Sequence, residues 1–97
     1  MSVIIKRGQK IPFTNVRTYE TTENNQTFIN EKLYEGEKKY TKYNHILGNL
    51  ILNNLPKKKK GEVKINVKIF IDVNGILTVT ATEKSTGNSV ETQIKNI

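Results

Sequence analysis

Residues 64–82 constrain the fold more than any other stretch. Ile65, Val67, Ile69, Ile71 and Val73 recur at every second position, with Lys64, Asn66, Lys68 and Asp72 between them, and Phe70 is the one apolar exception. A period of two places one set on each side of a pleated strand, so one face is apolar and the other mostly polar. After Asn74-Gly75, Leu77, Val79 and Ala81 alternate with Thr78, Thr80 and Thr82, residues suited to a half-buried strand. The pattern is that of an antiparallel hairpin.

Cross-strand partners share a face, which allows the register to be argued. A two-residue loop at Asn74-Gly75 would oppose Ile71 to Thr78 and Ile69 to Thr80, mixing apolar with polar. A three-residue loop, Val73-Asn74-Gly75 with Gly75 left-handed in a bulge, pairs Ile71 with Leu77, Ile69 with Val79 and Val67 with Ala81. The second register is expected because it keeps the apolar residues together.

The 97 residues allow one domain with one modest core. Without cysteine there is no disulfide framework and no thiolate metal site, which fits a cytoplasmic or other reducing compartment. The opening apolar run at Val3-Ile4-Ile5 is too short for a membrane span, and its flanking charges are on the wrong side for a signal peptide. Lys and Arg total 16 against 9 Asp and Glu, giving a net charge of +7. Such an excess favours anionic partners in general without specifying one.

Taken in order, Val3 to Ile5 reads as a first strand ended by Gly8-Gln9-Lys10 and Ile11-Pro12, where proline removes a ladder donor. Val16 to Thr21 reads as a second strand and Glu23-Asn24-Asn25-Gln26 as a polar turn leading into a hairpin with the next strand. That strand, Thr27 to Glu35, carries Ile29 and Leu33 on one face and Phe28 and Tyr34 on the other. Glu31 occupies the position between Ile29 and Leu33 where an apolar residue is expected. A charged connection then precedes residues 45–53, which fit helical and strand periods partially and are assigned to a strand bulged at Gly48. Pro56 and four lysines, Lys57 to Lys60, form a basic loop closed by Gly61. Thr86-Gly87-Asn88 is a turn before a last alternating strand, Ser89 to Ile97. The fold class is all-β, an antiparallel β-sandwich of about seven short strands.

Chemistry has little support in these patterns. His45 has no cysteine or patterned carboxylate around it and reads as a surface side chain. No glycine-rich loop opens a helix to cradle phosphate, so no catalytic residues, metal ligands or enzymatic activity are expected. Residues 57–60 could contact phosphates but lack aromatic residues interleaved for base stacking, and a basic β-sandwich binding nucleic acid or anionic surfaces through Lys57 to Lys60 is the second reading. Tyr19, Thr22, Phe28 and Ile29 straddle a turn and suit either a peptide groove or core packing.

The order of several short motifs resembles the β-sandwich substrate-binding region of the 70-kDa heat-shock chaperone family. Ile11-Pro12, Asn25-Gln26, Tyr34-Glu35-Gly36-Glu37 and Leu47-Gly48 come first. Gly61, Ile65, the run Ile71-Asp72-Val73-Asn74-Gly75-Ile76-Leu77, and then Val79, Ala81 and Lys84-Ser85-Thr86-Gly87 complete the match. The resemblance implies a module that grips an extended hydrophobic segment of an unfolded polypeptide by backbone hydrogen bonds and one apolar pocket. It implies that Tyr19, Ile29 and Ile65 line the pocket, that Thr22 forms part of an arch, and that Glu20 and Gln26 lie beside the peptide backbone. Glu31 takes the place of an apolar pocket residue. Arg7, Pro12 and Asn74 would face the family's nucleotide-binding domain.

The resemblance further implies that the ATPase domain, with ATP and Mg as its cofactors, the interdomain linker and the first sandwich strand precede Met1, and that a helical lid follows Ile97. Expected partners are unfolded polypeptides, that nucleotide-binding domain and J-domain co-chaperones. A strand edge left open by a missing neighbour could also pair with a second copy. Membrane association is not expected, and nucleic acid is disfavoured.

Overall fold

A computed structural model describes residues 2–36 and 44–95. Seven strands, β1 (Ser2–Lys6), β2 (Phe13–Glu20), β3 (Ile29–Gly36), β4 (His45–Leu52), β5 (Lys64–Ile71), β6 (Leu77–Glu83) and β7 (Ser89–Ile94), form two sheets. One has the order β1-β3-β4 and the other β2-β5-β6-β7. No helix occurs among the described residues. The expected charged connection after Gly36 falls, over residues 37–43, outside the described residues.

The hairpin that anchored the sequence reading forms with its bulged register: Ile71 opposes Leu77, Ile69 opposes Val79 and Val67 opposes Ala81. Its turn is held by Asp72, whose Oδ1 accepts from the Asn74 and Ile76 amides at 2.8 and 3.0 Å. Gly75 has φ +79°, a backbone state that costs a side-chain-bearing residue free energy and that glycine adopts freely. Residues 45–52 form a strand rather than a helix. The β3–β4 register slips by one residue between Leu33, opposite Gly48, and Tyr34, opposite Ile46. The extra residue, Leu47, makes the bulge beside Gly48.

Two expectations about pairing are corrected. β2 and β3 do not form a hairpin; they belong to opposite sheets, and β2 pairs antiparallel with β5 along its whole length, Phe13 opposite Ile71 through Glu20 opposite Lys64. The intervening turn is instead strapped to residues 55–63. Asn25 donates to the Lys58 carbonyl at 2.8 Å, Leu55 to that of Thr27 at 2.9 Å, and Thr21 to that of Val63 at 3.1 Å. The sandwich is also not wholly antiparallel, since β1 runs parallel to β3. Alternation reports which face a residue occupies and carries no information about strand direction.

The core lies between the sheets, where Val3 and Ile5 of β1, Leu33 of β3 and Leu50 and Leu52 of β4 meet Val67, Ile69 and Ile71 of β5 and Leu77, Val79 and Ala81 of β6. All are buried, and each fully buried aliphatic side chain contributes roughly 1.5–3 kcal/mol relative to exposure.

Glu83 is buried at the end of β6 with its needs met. Its carboxylate accepts from the Ser85 amide at 3.0 Å and hydroxyl at 2.7 Å, and from the Thr86 amide at 2.7 Å and hydroxyl. Burial pushes this carboxyl up, but the four donors more than compensate and hold it at about 2. The turn before β7 is therefore tied to a fixed negative charge.

Candidate groove at the open end of the sandwich

β2 and β5 run antiparallel, so Tyr19 and Glu20 lie at the same end of their sheet as Ile65 and Lys64. β3 begins at that end in the other sheet, where Ile29 opposes Leu52 and Glu31 opposes Leu50. Four expected pocket residues thus converge: Tyr19 packs against the cluster containing Ile29 and Ile65, and Glu31 is fully buried beside them. Ile65 is the direct cross-strand partner of Tyr19.

Glu31 is the unusual member. It follows Ile29 by two positions, so the pleat turns it to the interior, and it has no exposed surface. Neither carboxylate oxygen has a hydrogen-bond partner, and neither has the buried hydroxyl of Tyr19. Burial pushes the Glu31 carboxyl above its ordinary range, partly offset by nearby positive charge, Arg17 included, and by the proximity of the Tyr19 hydroxyl. The Tyr19 phenol is raised as well, by burial first and then by the field of Glu31. Arg17 is exposed on β2 and makes no ion pair with Glu31; the ion pair among the described residues joins Lys64 and Glu20.

The remaining candidates are arranged differently. Glu20 points away from the interior and pairs with Lys64 on the outer face, where the ammonium lowers its carboxyl by hydrogen bonding and charge. Gln26 is engaged by its own loop: its Oε1 accepts from the amides of Thr22 at 2.9 Å and Glu23 at 3.3 Å, and its Nε2 donates to the Phe28 carbonyl at 2.9 Å. Thr22 and Gln26 join Glu23, Phe28, Ile29 and Asn30 around a hollow of about 350 Å³. Of the expected pocket residues Ile29 borders this hollow, while Tyr19, Glu31 and Ile65 do not line it.

Arg7, Pro12 and Asn74 sit at the opposite end of the sandwich. Their neighbours Lys6, Gly8, Ile11 and Gly75 line a separate hollow of about 140 Å³ with Ile5, Glu35 and Ile71. The two candidate surfaces are therefore separated by the length of β2. The lysine loop, residues 57–60, is tied to the turn after β2 through the Lys58 carbonyl and the Lys60 amide, the latter donating to Asn24 Oδ1 at 3.0 Å. Its side chains are exposed at Lys57 to Lys60. His45 is also exposed, and no group of residues suited to holding a metal occurs among the described residues. No helix among them is long and apolar enough to cross a membrane.

Sequence reasoning did not single out Arg17, Leu50 or Leu52. Arg17 could have been found from its spacing of two from Tyr19, which places both on one face of β2. Leu50 and Leu52 required the β3–β4 register.

The model of the Hsp70 protein family matches residues 1–97, the whole chain. The chain belongs to the Hsp70 family. It is 40% identical over 82 residues to a heat shock cognate HSP70 protein of Trypanosoma brucei brucei, a match covering 84% of this chain and 12% of that relative. This Hsp70-family chain thus spans a small part of the length of the relative it matches.

Proposed function

We propose that this chain is the peptide-holding β-sandwich of a heat-shock 70-type chaperone, binding short extended segments of unfolded polypeptide at the end lined by Tyr19, Ile29 and Ile65. The observation that carries this reading is their convergence, from two sheets and three strands, beside an open hollow and within a chain that matches the Hsp70 family throughout. Main-chain hydrogen bonds to an extended segment tolerate any sequence, and an apolar pocket selects segments that only unfolded chains expose. Under this reading Thr22, on the adjoining loop, covers such a segment. Under this reading the opposite end, around Arg7, Pro12 and Asn74, meets a nucleotide-binding domain that binds ATP and Mg, and J-domain co-chaperones act on the assembly. The chain itself carries out no catalysis and works in the cytoplasm or another reducing compartment.

The test is fluorescence anisotropy of a labelled leucine-centred heptapeptide at low and high salt, with Ile29→Asp as the control. Saturable, salt-insensitive binding that the folded variant loses supports the groove. A second reading, anionic binding through Lys57 to Lys60, rests on the four exposed lysines. A labelled oligonucleotide whose binding falls steeply with salt, with no peptide binding at any salt, would favour that reading instead.

A further inference from the structure

Four lysines in a row on a loop are ordinarily a solvated surface, but Lys57 to Lys60 are held in place. Buried Leu55 and Val63 anchor the loop in the core at both ends. Between these anchors its backbone is bonded to the turn after β2. The Lys58 carbonyl accepts from the Asn25 amide at 2.8 Å, the Lys60 amide donates to Asn24 Oδ1 at 3.0 Å, and the Gly61 amide donates to the Thr21 carbonyl at 2.8 Å and hydroxyl at 3.1 Å. Asn24 and Asn25 lie between Glu23 and Gln26, which line the hollow with Thr22, Phe28, Ile29 and Asn30. The lysine loop is therefore fixed along the rim of that hollow, and all four of its side chains are exposed.

We infer that Lys57 to Lys60 form a cationic rim that selects unfolded segments whose apolar centre is flanked by aspartate or glutamate. This rests on the peptide-holding reading above and names which segments it prefers. The apolar centre keeps its place in the groove, where Ile29 and the half-exposed Phe28 border the hollow. The flanks meet the lysines. A residue two or three places from the centre of an extended segment lies roughly 7–10 Å from it. Charges act over about that distance at 0.1 M salt.

The charge balance of this end is positive. Glu20 is paired with Lys64, while Lys84 is exposed and held beside Lys64 by its amide, which donates to the Lys64 carbonyl at 3.0 Å. Lys57 to Lys60 and Lys84 outnumber the exposed acids Glu23 and Glu62. A loop that fixes four like charges side by side bears their mutual repulsion, and carboxylates of a bound segment relieve it. Single exposed ion pairs contribute little, so the preference depends on several acting together and is screened by salt. The chain's overall charge of +7 acts in the same direction at long range. An acidic polypeptide suits this rim better than a nucleic acid, because Phe28 alone is not a platform for successive bases, whereas an apolar hollow with charge along its edge matches a segment of mixed character.

The test is fluorescence anisotropy of two labelled nonapeptides with the same leucine centre and flanks of either aspartate or asparagine, at 0.1 M and 1 M NaCl. Aspartate and asparagine share a shape, so their difference isolates the charge. The unaltered chain is expected to bind the aspartate peptide about tenfold more tightly at 0.1 M, narrowing to about twofold or less at 1 M. Replacing the run by glutamine, Lys57→Gln through Lys60→Gln together, should bring the two peptides to within about twofold at both salts. Glu23→Gln, which removes an acid lining the hollow, should widen the difference at 0.1 M. Circular dichroism checks each fold, and should the fourfold variant not fold, Glu23→Gln and the salt dependence decide. If the unaltered chain binds both peptides without preferring aspartate, or if the folded fourfold variant keeps the preference, the inference fails and the peptide groove stands. If neither peptide binds while a labelled oligothymidylate does, the groove reading itself fails and takes the inference with it.

Discussion

Tyr19 on β2 and Glu31 on β3 meet across the two sheets, burial raising the proton affinity of both and the field of Glu31 raising that of Tyr19 further, with no hydrogen-bond partner completed at the Tyr19 hydroxyl or either Glu31 oxygen. The pair stands against a core cluster of aliphatic side chains that includes Ile29 and Ile65. Its unmet atoms are a cost to the fold, and that cost is measurable.

On stability, Glu31→Leu should raise the urea midpoint. Replacing a buried, unpaired carboxylate with an apolar side chain of similar size removes a penalty of about 1–3 kcal/mol. Equilibrium unfolding at neutral pH, with an unchanged denaturant dependence, would establish it; a variant no more stable than the parent would show that the carboxylate is satisfied in solution.

The same acid gives stability a defined pH dependence. Burial raises its folded value above the unfolded one, so the folded state binds the proton more tightly. Its contribution is therefore fully present below the ordinary carboxylate range and is lost as pH rises through the raised folded value. Glu31→Leu should flatten that loss in unfolding curves taken above pH 4.

Glu83 behaves in the opposite sense. Its folded value of about 2 lies below the unfolded one, so the stability it lends is present above the ordinary carboxylate range and disappears as pH falls towards about 2. Glu83→Gln, which retains one acceptor oxygen for four donors, should cost about 1–3 kcal/mol at neutral pH and weaken the acid dependence. Thermal unfolding between pH 2 and pH 7 reads both effects.

Gly75→Ala isolates a backbone cost. A Cβ at this position would meet nothing within 4 Å, so any loss comes from holding a side-chain-bearing residue at φ +79°. About 1 kcal/mol is expected, with the Ile71–Leu77 register unchanged by amide chemical shifts.

Ile69→Ala should cost about 2–5 kcal/mol, because Ile69 is packed between the sheets and the surrounding strands relax only in part. Phe70→Ala, next in sequence but on the partly exposed face, should cost clearly less. Chemical denaturation of the two variants side by side checks the face assignment.

Local chemistry decided much of this fold. Alternation in residues 64–82 assigned the side chains to faces, and matching the apolar faces across Asn74-Gly75 chose the three-residue loop, so the central hairpin was legible down to its register. Gly48 marked the place of the bulge in β4, since an isolated glycine inside a strand pattern often signals one, and the extra residue is its neighbour Leu47. The same alternation put Glu31 on the interior face, but a period of two cannot say whether a partner waits there.

Sequence by itself therefore determined an all-β chain, its strands, its tight turns and the faces they bury, since these depend on neighbours a few residues apart. Tertiary structure alone decided that β2 leaves β3 for β5, that β1 runs parallel to β3, and that Tyr19 and Glu31 share one buried place. Those outcomes depend on which distant strand offers the better-matched ladder of hydrogen bonds and apolar contacts. That competition is settled only when both sheets close over a common core.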